Sequence, residues 1–217
     1  MVLHICNRSI AVLLGTVMRA AVLFSLILMP TVYAEDAHDP HAHHRHAAKE
    51  SKMAMADINV PAGLAMLNQY GDSVDLREDV IGNKVVVIGF VYTTCTTVCP
   101  VVSAVFSMVR DRLHDKMGKD VELIMITVDP ARDTPHRLLS YSKKYNADSG
   151  WSWLTGDKKT VDKALSAFGA YTPSFEDHPA MVLIGNASNS EWYRYFGFPS
   201  PEDIEGKVNE ILNSRAG

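Results

Sequence analysis

Cysteine is scarce in this sequence. Its 217 residues hold three, and only Cys95 and Cys99 stand close together. Positive charge is also in short supply: 21 Lys and Arg against 25 Asp and Glu give a net charge of −4, with no basic stripe. An acidic domain of this kind is a poor nucleic-acid binder. There is no glycine-rich nucleotide loop and no pattern of a Ser-His-Asp hydrolase. What remains is a chain with 47% hydrophobic residues, enough to bury one core, and a single pair of thiols in "YTTCTTVCP", Tyr92 to Pro100.

The first 34 residues stand apart. Arg8 and Arg19 precede the apolar run Ala20 to Met29, and Pro30 and the small-residue site Val32-Tyr33-Ala34 follow. This order describes a secretory signal, residues 1–34, cleaved after Ala34. The alternative is an uncleaved membrane anchor, since Ile10 to Met29 is about 20 residues, enough to span a bilayer. Arg19 in the middle of that span weighs against it. Cleavage would remove Arg8, Arg19 and Cys6, take the charge from −4 to −6, and leave Cys95 and Cys99 as the only thiols. Export implies a periplasmic or other extracytoplasmic setting, where a lone thiol pair either bridges or needs a reductant.

Residues 35–56 are polar and of low complexity, and read as a disordered tail. His38, His41, His43, His44 and His46 crowd into it, with Met53 and Met55 close behind. Such imidazoles bind Zn²⁺, Ni²⁺ or Cu²⁺ loosely, and thioethers suit Cu(I). A merely solubilising tail is the competing reading.

The domain proper is expected over residues 57–217. "VVVIGFVY" and "VELIMITVD" are continuously apolar, the mark of strands covered on both faces. Between them Val102, Val105, Phe106, Val109 and Leu113 recur at helical spacing behind Pro100, which suits a first helical position. A second helix starts at "DTPHRLLSYSKKY" with Asp133 or Thr134 as cap, and a third covers 157–170. "MVLIG" and "EWYRYFG" are strands near enough in sequence for a hairpin, and Ser200-Pro201 opens a last helix. The order β-α-β-α-(α)-β-β-α predicts an α/β fold with a parallel core sheet and helices on both faces. The first strand then carries its C-terminal end into the cysteines, where open α/β sheets bind ligands.

A structural disulfide between Cys95 and Cys99 would close a loop of about five residues and gain little entropy. A helix N-terminus favours thiolate, which serves disulfide exchange and soft-metal binding alike. A metal site needs a further ligand, and His114, His136 and His178 are the candidates outside the leader and tail. His114 and His136 read as solvated helix residues. His178 in "EDHPAM" precedes a core strand and can face the end of the first.

"GFVYTTCTTVCP", "ITVDPARDTP", "WSWLTGD" and "DHPAMVLIG" resemble, in order and spacing, the SCO/SenC family of thioredoxin-fold copper-binding assembly factors for the Cu(A) site of cytochrome oxidase. The resemblance covers Leu67 to Leu212. It implies a thioredoxin-like sandwich with a central mixed sheet, and copper, as Cu(I) or Cu(II), on Cys95, Cys99 and His178. It also implies that Asp177 orients the imidazole, and that Asp129, Arg132 and Asp133 serve as scaffold. The partners implied are a cytochrome oxidase subunit or another cuproenzyme, and a thiol reductant protein. Contact with a membrane is implied only if the leader stays. Thr96-Thr97-Val98 replaces the family's usual Pro-Asp-Val, and a hairpin common before the histidine is missing. A thiol–disulfide oxidoreductase with Cys95 as nucleophile and Cys99 resolving is the competing function. A metal buffer acting through the tail is a further one.

Overall fold

The structure, a computed structural model, describes residues 51–187 and 191–215. The leader and the five tail histidines lie outside the described residues. Strands β1 (Lys52–Met55), β4 (Val85–Val91), β5 (Val121–Thr127), β6 (Trp151–Leu154), β7 (Met181–Asn186) and β8 (Glu191–Phe196) form one sheet in the order β1-β8-β7-β4-β5-β6. β2 (Ala65–Leu67) and β3 (Ser73–Asp75) make a small hairpin beside it. The helices are α1 (Val98–Arg112), α2 (Pro135–Ser142), α3 (Lys158–Ala167) and α4 (Pro201–Ser214). The sheet is mixed, as expected: β4, β5 and β6 run parallel, whereas β7, β8 and β1 pair antiparallel.

Every residue of β4 and of β5 is buried, because both sheet faces are covered. Strand alternation sorts their side chains into two cores. Val85, Val87 and Val91 face α1, α2 and α4, with Phe106, Leu138 and Ile204 among the residues packed there. Val86, Ile88 and Phe90 face α3 and the N-terminal hairpin, alongside Val161, Leu165 and Trp192. The caps follow local chemistry. Thr134 accepts the Arg137 N–H, Asp157 accepts that of Thr160, and Ser200 and Asp203 cap each other reciprocally.

Two boundaries differ from the sequence reading. The tail does not extend to residue 56. Lys52–Met55 adds an edge strand to β8, so Met53 and Met55 belong to the sheet. All four residues of β1 are exposed, and it is held by the backbone ladder, with no buried apolar face to betray it in the sequence. α1 begins at Val98, two residues before Pro100, so Cys99 lies in its first turn. β6 also went unseen, since four residues with two Trp carry too little periodicity.

α1 lies close to β4 because Gly89 has no side chain. A Cβ there would stand 2.7 Å from Met125 Sδ and 2.9 Å from the Phe106 ring. Gly89→Ala is therefore expected to push α1 off the sheet and cost about 1–3 kcal/mol in chemical denaturation, the usual range for overpacking.

Candidate functional site

The end of β4 is fixed by a buried carboxylate. Asp133, with no exposed surface, accepts the Thr93 N–H at 3.1 Å and the Thr93 hydroxyl at 2.5 Å. It also accepts the Thr127 hydroxyl at 2.6 Å. One side chain thus ties the last residue of β5 to the loop that leaves β4. Beyond Thr93 the chain turns at once, the Cys95 N–H donating to the Tyr92 carbonyl at 3.1 Å. The Cys99 N–H donates to Cys95 Sγ at 3.3 Å, so the sulfur satisfies one of the free amides at the start of α1. Thr97, the residue preceding the helix, makes no side-chain cap of its own.

Both thiols are free and nearly enclosed, with Cys95 7% and Cys99 4% exposed. Burial alone would raise the Cys95 thiol. Hydrogen bonds from the Cys99 thiol, the Cys99 and Thr97 backbone and the Tyr92 hydroxyl overcome it, and bring Cys95 from 9.0 to about 7. Burial, followed by the bond that Cys99 donates to Cys95, pushes Cys99 up to about 12. Cys95 is the more acidic thiol of the pair, and Cys99 its proton-bearing neighbour.

His178 sits elsewhere. It follows the short turn Phe175–Asp177 and packs edge-on to Phe90, ring centroids 5.2 Å apart. Phe90 and the cysteines belong to opposite cores, so the imidazole is on one side of the sheet end and the sulfurs are on the other. Neither ring nitrogen has a hydrogen-bond partner, although both are buried. Burial lowers the imidazole from 6.5 to about 4, opposed by the nearby Ala170 backbone, which does not form a bond of proper geometry. Asp177 is exposed and makes no hydrogen bond to the ring. His114 and His136 are solvent-exposed, as read from the sequence.

Among the described residues, no three His, Cys, Asp or Glu side chains lie close enough together to hold a metal ion. The expected donor set is thus present but not gathered. Its chemistry nonetheless suits a soft cation, with a thiolate, a second sulfur and an imidazole whose nitrogens hold no other partner. A surface cleft of about 970 Å³ beside α3, lined by Lys159, Lys163 and Tyr171, contains none of the three.

The sequence reading missed what lies between them. Phe175 packs edge-on to Tyr92 with centroids 5.1 Å apart, and the Arg132 guanidinium lies 5.2 Å over the Phe175 ring. Arg132 is held in turn by buried Asp129 at 2.9 Å. Asp129 and Asp133 are scaffold, as expected, and Arg132 reaches further, to the loop that carries His178.

The sequence matches the SCO1/SenC family profile over residues 60–212, most of the chain. The chain belongs to the SCO1/SenC family. Its similarity to protein SenC of Rhodobacter capsulatus is 30% identity over 132 residues, 61% of this chain and 58% of that one. The chain thus spans less than two thirds of that relative. The structure of Bradyrhizobium japonicum ScoI with copper bound superposes with a TM-score of 0.58 at 25% identity, over 70% of this chain and 98% of that one. BsSco, in which a disulfide switch is identified and which is described as a member of the Sco family of cytochrome c oxidase assembly proteins, gives 0.60 at 24% identity, over 72% of this chain and 95% of that one. The fold of this SCO1/SenC protein is accordingly the thioredoxin-like one.

Two pH effects follow. Iodoacetamide should alkylate Cys95 with a rate midpoint near pH 7 and leave Cys99 untouched until the protein unfolds, as peptide mapping would read. The imidazole of His178 titrates lower in the folded chain than in the unfolded one. Between pH 6.5 and about 4 the unfolded state therefore binds the extra proton, and stability falls as pH falls. Denaturation midpoints of His178→Phe should lose that part of the slope.

Proposed function

We propose that this SCO1/SenC protein is an exported copper chaperone that binds one copper through Cys95, Cys99 and His178. It delivers the metal to the Cu(A) site of cytochrome oxidase or to a related cuproenzyme. The observation that carries this reading is the state of His178, a neutral imidazole with two buried, unpartnered nitrogens on the loop whose Phe175 packs against Tyr92. A structural histidine would have its nitrogens satisfied. The low thiol pKa of Cys95 adds a ready sulfur ligand at neutral pH. The copper-bound ScoI relative, at 25% identity, supports the same cargo. Transfer proceeds by exchange of sulfur and imidazole ligands with the recipient, which suits a site of few ligands near the surface.

A second function rests on the same sulfurs. A thiolate at Cys95 beside a protonated Cys99 is the arrangement of attacking and resolving thiols. Cys95 would attack a partner's disulfide, displace one of its sulfurs, and be released when Cys99 closes the Cys95–Cys99 bridge. The partner leaves as the dithiol, and a reductant protein must then restore the pair. Residues 38–46 are assigned the role of a weak metal collector, and 1–34 that of the export signal.

Anaerobic Cu(I) competition, on a chain starting at Ala47 to keep β1 but drop the tail histidines, tests the leading reading. One equivalent should bind, and His178→Ala should weaken it by roughly 10-fold or more, in line with the loss of one good donor. Binding unchanged by His178→Ala would leave thiol exchange as the function.

A further inference from the structure

The separation of His178 from the thiols calls for something that holds it there. The candidate is the clamp on Phe175, three residues before the imidazole. The ring of Phe175 is gripped from two sides, by Tyr92 edge-on at 5.1 Å and by the Arg132 guanidinium at 5.2 Å. Both partners are tied to buried carboxylates. Tyr92 follows β4, whose exit Asp133 fixes, and Arg132 is bonded to the buried carboxylate of Asp129. Phe175 is only half-buried, and its neighbours Glu176, Asp177 and Pro179 are exposed. Apart from Phe175 and His178 themselves, that part of the loop is weakly held. Its short backbone bonds, Asp177 N–H to Ser174 and His178 N–H to Phe175, are internal and would move with it.

We propose that Phe175, clamped between Arg132 and Tyr92, is a latch that keeps His178 on the Phe90 side of the sheet. Release of the latch sets the rate at which the imidazole reaches Cys95 and Cys99. Tyr92 also supplies the carbonyl that accepts the Cys95 N–H at 3.1 Å, so the latch adjoins the turn that carries the thiol. Delivery of the imidazole to the sulfurs rests on the copper reading above, but the latch itself does not.

The test uses the metal-free full chain and carbethoxylation by diethyl pyrocarbonate, with each histidine followed by peptide mass spectrometry. Phe175→Ala should raise the rate at His178 by roughly 10-fold, since local opening governs reagent access and two ring contacts are lost. His114 and His136, already exposed, are the internal references and should not change. Phe175→Tyr, which keeps the ring, should restore the slow rate. Arg132→Lys keeps the ion pair with Asp129 but loses the planar cap on the ring, and should lie between. Cys99 must stay unreactive to iodoacetamide in every variant, which separates latch release from unfolding. Rates at His178 within twofold of the parent in both Phe175→Ala and Arg132→Lys would overturn the latch. A fast His178 in Phe175→Ala, joined to Cu(I) affinity indifferent to His178→Ala, would keep the latch and remove the copper reading instead.

Discussion

The thiol end of this protein hangs on one buried carboxylate. Asp133 gathers the Thr93 amide, the Thr93 hydroxyl and the Thr127 hydroxyl, three donors from the end of β5 and the loop that leaves β4. A buried carboxylate is costly to desolvate, and it persists where such donors satisfy it. Because Asp133 also stands next to Thr134, the cap of α2, the same bond set fixes where that helix starts. The positions of Tyr92, Cys95 and the first turn of α1 are consequences of this knot. Gly89 adds the second constraint, by letting Phe106 bring α1 against β4.

On that frame the sheet separates two kinds of chemistry. The sulfurs pack on the side of Val91 with α1, and the imidazole packs on the side of Phe90 with the end of α3. Hydrogen bonding favours the anion at Cys95, whereas burial without partners favours the neutral ring at His178. Cys95 and His178 are therefore each shifted toward the form a soft cation prefers, while Cys99 keeps its proton.

The sheet and helices were legible where burial is complete. β4 and β5 announce themselves as unbroken apolar runs, and α2 and α4 through a Thr or Ser followed by Pro. β1 was not legible, because its stability comes from a ladder with β8, and backbone hydrogen bonds leave no trace in side-chain pattern. The first residue of α1 was misjudged for a related reason. The Cys99 amide in its first turn is met by the sulfur of Cys95, an acceptor outside the usual capping set, and Pro100 drew the boundary to itself. Cys95 and Cys99 could be singled out by scarcity and position. His178 needed the family resemblance to stand out from other loop histidines. The contacts of Phe175 and Arg132 could not be read at all, since a half-buried ring in a loop has no periodicity, and cation–π pairing is set by tertiary structure.

Cys95 Sγ is both the more acidic sulfur of the pair and the acceptor for the first turn of a fifteen-residue helix. Its lone pairs cannot serve two masters equally. Whenever that sulfur is alkylated, oxidised or given to a metal, α1 loses part of its N-terminal anchorage. The opening turn, Val98 to Pro100, then becomes a local reporter of sulfur chemistry. The exposed Val98 and Val101 side chains stand on that same turn, so on the proposed copper reading a change at the sulfur would also be felt at this surface.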